Sequence, residues 1–285
     1  EVATPALEFE ETMRLGDPRA AERAYHLTDN DGSVLVARFD STIPLARMAA
    51  TTFADQPAPL RLCYLQNILR PVEPKRGQSR EFLQIGMELM GVGAPAGDAE
   101  AIALLCKVLE AAGIEGFKIA VGDGALFGEL LDAAGLGGAE NARMREAIMY
   151  ELESRDLVGL ERELRASAAI DAEACTRLIE VAAARGGAEL LPRFGADRLA
   201  TLSRQVEAAG VAANVVYDLG LIRSQGYYTG TVLEIYADDY GSPLGGGGRY
   251  DELVGRFGRE LSAFGFALNL DRICRAREAQ KAATL

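Results

Sequence analysis

The sequence contains a single histidine, His26, among its 285 residues. A multi-histidine metal site and most histidine-based acid–base chemistry are therefore excluded. The four cysteines are far apart and show no CxxC spacing, so neither a zinc site nor a redox pair is indicated. Because most of them lie in apolar runs, we expect buried thiols. We predict no metal site and no cofactor.

Long apolar runs and excess positive charge are also lacking. No stretch of about eighteen uninterrupted apolar residues occurs, and the first residues do not follow the basic-then-apolar pattern of a signal peptide. We therefore expect a cytoplasmic protein that does not contact a membrane. The formal net charge of −12 repels polyanions, so nucleic acid is not an expected partner.

The chain is long enough to bury one large core, and its hydrophobic content is 49%. Segments of strand character predict a mainly antiparallel sheet, and strands are expected at 34–39, 60–69, 82–90, 117–121, 213–219, 229–237 and 264–267. Helical periodicity predicts helices that flank the sheet, at 97–112, at 126–134, near Tyr250 and from about Leu270. In the first of these helices, Asp98, Glu100 and Glu110 are expected to face solvent.

Residues 137–208 differ in composition from the rest of the chain. They are rich in Ala, Glu, Arg and Leu, which predicts an all-helical insertion. The core domain would then comprise residues 1–136 and 209–285. The predicted fold class is α+β, with a helical module inserted into a mainly antiparallel sheet domain.

Two segments carry polar groups that strand or helix spacing does not require. In the return strand after a hairpin loop, Gln84, Gly86 and Glu88 share one face at period two, where an amide and a carboxylate can hold a small polar ligand. A solvated outer face of a hairpin is the alternative. A tyrosine pair, Tyr227 and Tyr228, precedes a later strand, although tyrosines are ordinary in sheets.

Glycine-rich segments give two further signals. Four consecutive glycines, Gly245–Gly248, indicate a backbone that closely approaches a ligand or another chain, with a flexible loop as the alternative. The spacing of Gly122, Gly124 and Gly128 is GxGxxxG and not GxGxxG. A capped strand-to-helix turn explains this spacing without a dinucleotide.

Together and in this order, the segments 69–88, 221–234 and 244–272 resemble motif 2, the histidine-specific tyrosine motif and motif 3 of class II histidyl-tRNA synthetases. The resemblance extends to residues 4–8 and 38–47, and so covers most of the chain outside the helical insertion. It implies a class II aminoacyl-tRNA synthetase-like fold with an antiparallel sheet of six or seven strands. It also implies dimerisation, and adjoining sites for ATP and histidine on the sheet.

The resemblance implies a histidine-binding site. Asp40 would pair with the ligand ammonium, Glu88 would accept an imidazole N–H, and Arg223 would face the carboxylate. The complete set of residues that match the histidine-binding positions is Asp40, Thr42, Arg70, Gln84, Glu88, Arg223, Tyr227 and Tyr228.

Departures from the synthetase pattern affect the ATP half of the site. Val72 stands where motif 2 has a glutamate, and Gln78 where it has a basic residue, so adenine and phosphate lose partners. Neighbouring Glu73, Arg76 and Arg80 could partly substitute. ATP activation is expected to fail or to be weak, so we predict no catalytic residues. The chain also ends shortly after Arg272, whereas the synthetases continue into an anticodon-binding domain.

This combination resembles the synthetase-like regulatory subunits of short-form ATP phosphoribosyltransferase, the first enzyme of histidine biosynthesis. The resemblance implies a subunit that is not itself an enzyme. Such a subunit activates the catalytic subunit, mediates feedback inhibition by histidine, and forms a homodimer within a hetero-octamer. The alternatives are a histidyl-tRNA synthetase catalytic-domain fragment, which would catalyse histidine-dependent ATP–pyrophosphate exchange, and a stand-alone histidine-binding paralogue.

Overall fold

The computed structural model describes residues 1–71, 79–167, 169–223 and 226–283. The sequence-based expectations for Val72, Glu73, Arg76 and Gln78 lie outside these ranges.

The N-terminal part forms a small antiparallel sheet with three helices. Its elements in chain order are β1 (Leu7–Phe9), α1 (Glu10–Gly16), α2 (Pro18–Glu22), β2 (His26–Thr28), β3 (Val34–Ala37) and α3 (Thr42–Ala50). The strand order is β1-β3-β2. Asp40, which precedes α3, accepts a hydrogen bond from the backbone N–H of Ile43 at 2.9 Å, so it caps the helix as its position predicts.

The remaining elements build the large sheet and its helices. They are β4 (Leu60–Leu69), β5 (Glu81–Met90), α4 (Ala96–Ala111), β6 (Lys118–Asp123), α5 (Leu126–Leu131), α6 (Ala142–Glu153), α7 (Leu157–Ala166), α8 (Ala172–Ala183), β7 (Arg185–Gly186), α9 (Leu191–Phe194), α10 (Asp197–Ala208), β8 (Val215–Asp218), β9 (Thr231–Ala237), β10 (Tyr240–Arg249), β11 (Ala263–Asn269) and α11 (Leu270–Ala283). Residues 132–136 form a π-helical turn, and residues 139–141, 188–190, 212–214 and 255–257 form 3₁₀ turns.

The large sheet has eight strands in the order β4-β5-β11-β10-β9-β6-β8-β7. All pairs are antiparallel except β6 with β8. The sheet is therefore wider than the six or seven strands that the resemblance implied, and it is mixed. The parallel pair is possible because a long, largely helical crossover separates β6 from β8. The two-residue strand β7 lies within the segment that was predicted to be entirely helical.

The main core lies between the large sheet and its covering helices. Helix α4 packs against β11 and α10 and buries Ile102, Leu105, Cys106 and Leu109, as the helical spacing predicts. The expectation of buried thiols is only half right. Cys106 and Cys175 are buried, whereas Cys63 and Cys274 are exposed. Cys63 is exposed because it lies on the edge strand β4, and Cys274 because it lies on an outer part of α11.

The helix that was predicted near Tyr250 is absent. The backbone N–H of Tyr250 donates to the carbonyl of Ala263 at 2.8 Å, and turns follow up to the 3₁₀ turn Gly255–Phe257. Gly258 ends that turn with a φ of 102°, a left-handed conformation that interrupts a helix.

Asp98 was expected to face solvent, but it is only 1% exposed. Arg249 of β10 donates to Asp98 Oδ1 from Nε at 2.7 Å, and the Thr231 hydroxyl donates to Oδ2 at 2.6 Å. The first turn of α4 lies against the end of β10, so the carboxylate is desolvated and is stabilised by the buried guanidinium. This ion pair joins the covering helix to the central strand.

Asp98→Ala is expected to lower the free energy of unfolding by about 3 kcal/mol, because it removes the buried partner of Arg249 and leaves only the more exposed Asp251 carboxylate. Glu100→Ala, two residues away, removes an exposed pair with Arg61 and is expected to cost less than about 1 kcal/mol. Urea denaturation of both variants measures the difference. Equal losses would show that the buried pair does not join helix and strand as described.

Candidate functional site

One face of the large sheet carries a cavity of about 450 Å³. Seven of the eight residues that were predicted to bind histidine line it, namely Asp40, Thr42, Arg70, Gln84, Arg223, Tyr227 and Tyr228. They come from α3 and its cap, β4 and β5, and the segment between β8 and β9. The fold therefore brings together residues that are up to 188 positions apart in the chain.

The floor of the cavity is the glycine segment of the central strand β10, which has no side chains. Gly245–Gly248 lie within β10, so the alternative of a flexible loop is wrong. A Cβ on Gly246 would lie 2.0 Å from Arg223 Nη1, and one on Gly248 would lie 2.9 Å from the ring of Tyr228. The glycines thus allow two of the predicted binding side chains to lie directly on the sheet.

Asp40 lies at the junction of helix α3 and the cavity. Its Oδ1 caps the helix, and its Oδ2 accepts a hydrogen bond from the Tyr227 hydroxyl at 2.9 Å. Burial raises the pKa of the Asp40 carboxyl, while the Ile43 N–H and the nearby Arg70 guanidinium oppose that shift. The carboxylate is held in one orientation at the cavity wall, where it can receive a cationic group.

Glu88 lies beneath the cavity and does not line it. Its Oε1 accepts a hydrogen bond from the Thr42 hydroxyl at 2.8 Å, and its Oε2 accepts one from the Tyr250 hydroxyl. Burial raises the pKa of Glu88 to about 8, against the effect of these two donors. A Cβ on Gly265 would lie 1.6 Å from Oε2, so this glycine makes room for the carboxyl group.

Arg70 and Gln84 form the wall next to the small sheet. Arg70 Nε donates to the carbonyl of Phe39 at 2.8 Å, and its guanidinium carbon lies 5.6 Å from the centre of the Phe82 ring. The Tyr64 hydroxyl donates to Gln84 Oε1 at 3.4 Å. Stacking and a backbone acceptor thus position the guanidinium of Arg70 at the cavity wall.

Arg223 lies across the cavity floor from this wall. Its Nη1 donates to the carbonyl of Leu233 at 3.2 Å and lies 3.5 Å from Glu234 Oε1. Glu234 also lines the cavity, so the guanidinium is held between a backbone oxygen and a carboxylate. A ligand carboxylate would find a pre-oriented cation here.

The segment that carries Arg223 is fixed at its start by Asp218, which is 2% exposed. Arg155 Nη1 lies 3.1 Å from Asp218 Oδ1, and Arg185 Nη2 lies 2.6 Å from Oδ2. The backbone N–H of Gly220 also donates to Oδ1 at 3.2 Å. Both arginines belong to the segment 137–208, so the helical segment directly contacts the part of the chain that leads into the cavity.

Several lining residues were not predicted as site residues. The cavity is also bounded by Tyr64, Glu234, Tyr240, Asp271, Arg272 and Arg275. Two features relate some of these residues to the predicted site. Glu234 follows the tyrosine pair at a period-two position of β9. In the structure, Tyr64 lies opposite Gly86 in the β4–β5 register. The residues of α11 become neighbours only because β11 places that helix at the cavity mouth.

Among the described residues, no group of three or more His, Cys, Asp or Glu side chains has an arrangement that could hold a metal ion. Within the same ranges, no helix is both long enough and apolar enough to cross a membrane.

Comparison with known proteins places this fold among the class II synthetases. A profile of the histidyl-tRNA synthetase family matches residues 1–273. A histidyl-tRNA synthetase from Nostoc sp. shares the fold, with a TM-score of 0.75 at 23% identity, over 100% of this chain and 68% of that one.

Relatives of higher identity carry a different name. ATP phosphoribosyltransferase regulatory subunits of Symbiobacterium thermophilum and Moorella thermoacetica are each 41% identical to this chain. The alignments cover 99% and 97% of it, and 72% and 73% of the relatives. A solved structure from Bacillus halodurans, described as an ATP phosphoribosyltransferase regulatory subunit/histidyl-tRNA synthetase, has a TM-score of 0.87 at 32% identity. It matches over 96% of this chain and 73% of that one.

The chain therefore belongs to the histidyl-tRNA synthetase family and, within it, to the group of ATP phosphoribosyltransferase regulatory subunits. The resemblance seen in the sequence is confirmed, as is the class II fold. The ligand of the eight predicted residues stays a prediction.

Glu88→Gln is expected to remove a pH dependence of stability. Between pH 4.5 and about 8, Glu88 is ionised in the unfolded chain but protonated in the folded one, because its pKa rises from 4.5 to about 8. The wild type therefore loses about 1.4 kcal/mol of stability per pH unit in this window relative to the glutamine variant.

Chemical denaturation at several pH values measures this difference. Glu81→Gln, at an exposed position on the same strand, controls for the substitution itself. A constant difference between wild type and Glu88→Gln across the window would contradict a buried, protonated Glu88.

Proposed function

We propose that this chain regulates ATP phosphoribosyltransferase, that it activates the catalytic subunit, and that histidine bound in the sheet cavity reverses the activation. One observation carries the proposal. The cavity has the charge pattern of an amino-acid site, in a chain whose relatives at up to 41% identity are named regulatory subunits.

Histidine fits the cavity by charge complementarity. Its ammonium pairs with Asp40, which is fixed by the helix cap and by Tyr227. Its carboxylate pairs with Arg223 on the glycine floor. Its imidazole lies against Thr42, whose hydroxyl donates to Glu88 beneath the cavity, so Glu88 acts by orienting Thr42 and not by direct contact. Gln84, Arg70 and Tyr228 complete the wall.

We propose that the chain does not activate histidine with ATP. The sequence has valine at 72, which provides no acceptor for an adenine amino group, and glutamine at 78, which provides no charge for a phosphate. Each lost charge-assisted hydrogen bond is worth about 1.5–3 kcal/mol, so nucleotide affinity falls by roughly tenfold or more for each.

Regulation in this proposal is a coupling free energy between two sites. Binding of this subunit favours an active arrangement of the catalytic subunits, and histidine favours a different one. The proposed assembly is cytoplasmic and places a homodimer of this chain within a hetero-octamer. Nucleic acid has no role in it, in keeping with the net charge of −12.

Arg223→Gln is expected to weaken histidine binding by about 10-fold to 100-fold, because the ligand carboxylate loses a charged partner. Gly246→Ala should have a similar effect through steric displacement, since its Cβ would meet Arg223. Gly241→Ala, on the same strand with no atom within 4 Å of the new Cβ, is the matched control. Isothermal titration calorimetry measures all three. Unchanged affinity in both Arg223→Gln and Gly246→Ala would place histidine elsewhere.

Addition of this chain to a matched short-form catalytic subunit is expected to raise the rate of phosphoribosyl-ATP formation, and histidine is expected to reverse the increase. Histidine-dependent ATP–pyrophosphate exchange, measured on the isolated chain, is expected to be absent. Exchange activity would instead support the synthetase alternative. Failure to activate, together with failure to co-elute with the catalytic subunit, would leave a stand-alone histidine-binding protein.

A further inference from the structure

A second cavity of about 260 Å³ lies beside the first. Asp40, Arg70 and Tyr227 line both cavities, so these three side chains form the partition between them. The outer side of the second cavity is formed by α2 and the residues next to its two ends, which contribute Asp17, Arg19, Arg23 and two alanines. None of these residues lines the first cavity.

The acidic groups of the second cavity are already satisfied by protein donors. Asp17 accepts hydrogen bonds from the backbone N–H groups of Ala20 at 3.0 Å and Gly226 at 3.3 Å. Asp40 is hydrogen-bonded by Ile43 N–H and by the Tyr227 hydroxyl. Both carboxylates are therefore held in fixed orientations by protein donors.

The arginines that line the second cavity differ in whether they have a carboxylate partner. Arg19 pairs with Glu146 at 2.8 Å. Arg23 donates from Nε to the carbonyl of Arg19, and Arg70 donates from Nε to the carbonyl of Phe39. Within the described ranges, neither Arg23 nor Arg70 forms an ion pair, although most ion pairs in this acidic chain involve arginine.

We propose that the second cavity binds a small oxyanion, a phosphate or carboxylate group, between Arg23 and Arg70. Guanidinium groups present paired N–H donors that match the oxygens of both groups. The remaining walls include Ala20, Ala24, Phe39 and Pro71, which supply apolar surface for the rest of a small molecule. Because Arg70 and Asp40 belong to both cavities, an anion held here changes the electrostatic potential at the first cavity. The test of this inference does not use histidine, so its failure and the failure of the histidine proposal are distinguishable.

The experiment titrates the full chain with inorganic phosphate, and separately with acetate, in chloride buffer at constant ionic strength. Calorimetry is expected to show saturable binding of at least one probe, with a dissociation constant of roughly 1 mM. Arg23→Gln, an exposed position outside the first cavity, is expected to weaken binding by about tenfold or more. The comparison of phosphate with acetate distinguishes the two oxyanions.

Two variants serve as controls. Arg14→Gln removes an exposed charge on the neighbouring helix α1 and is expected to leave binding within about twofold of wild type. Arg275→Gln alters only the first cavity and should also have no effect. Loss of binding in Arg275→Gln but not in Arg23→Gln would place the anion in the first cavity and overturn the proposal. Absence of saturable binding of both probes would overturn it as well.

Discussion

The cavity depends on the absence of side chains from the centre of the sheet. Gly245–Gly248 in β10 and Gly265 in β11 are neighbours in register, and Cβ atoms at Gly246, Gly248 and Gly265 would meet Arg223, Tyr228 and Glu88. Side chains from other elements fill the space that these glycines leave. A sheet of ordinary composition would place its own side chains where Arg223, Tyr228 and Glu88 now lie.

Four buried carboxylates show two ways in which this fold stabilises a carboxyl group away from water. Asp98 and Asp218 are paired with arginines: the Asp98 pair joins α4 to β10, and the pair of Asp218 with Arg185 joins β8 to β7. Asp40 and Glu88 are instead hydrogen-bonded by hydroxyl and backbone donors. Burial raises the pKa of Asp40 and Glu88, and it also raises the pKa of Asp98, although the Arg249 guanidinium opposes the shift there.

The sequence predicted the faces of the strands well but not the depth at which residues lie. Period-two alternation placed Gln84 and Glu88 on one face of β5, and the structure agrees. Glu88 lies below the cavity because Gly265 on β11 leaves room for its carboxyl group and Tyr250, which follows β10, donates to it. Asp98 was misplaced for the same reason, since its partner Arg249 is 151 positions away.

The strand β7 has two residues and forms only by pairing with β8, so no local signal could reveal it. The division into core and insertion remains a prediction.

Asp218 limits how the helical segment 137–208 can be shortened or removed. Its carboxylate is neutralised by Arg155 and Arg185, which lie in the middle of the segment 137–208. If that segment were excised and its ends joined, the core would retain a desolvated negative charge without a counterion, beside the residues that lead into the cavity. These ion pairs therefore make the surroundings of Asp218 depend on the helical segment. Any shortening of the helical segment that preserves the core must keep these two arginines in place.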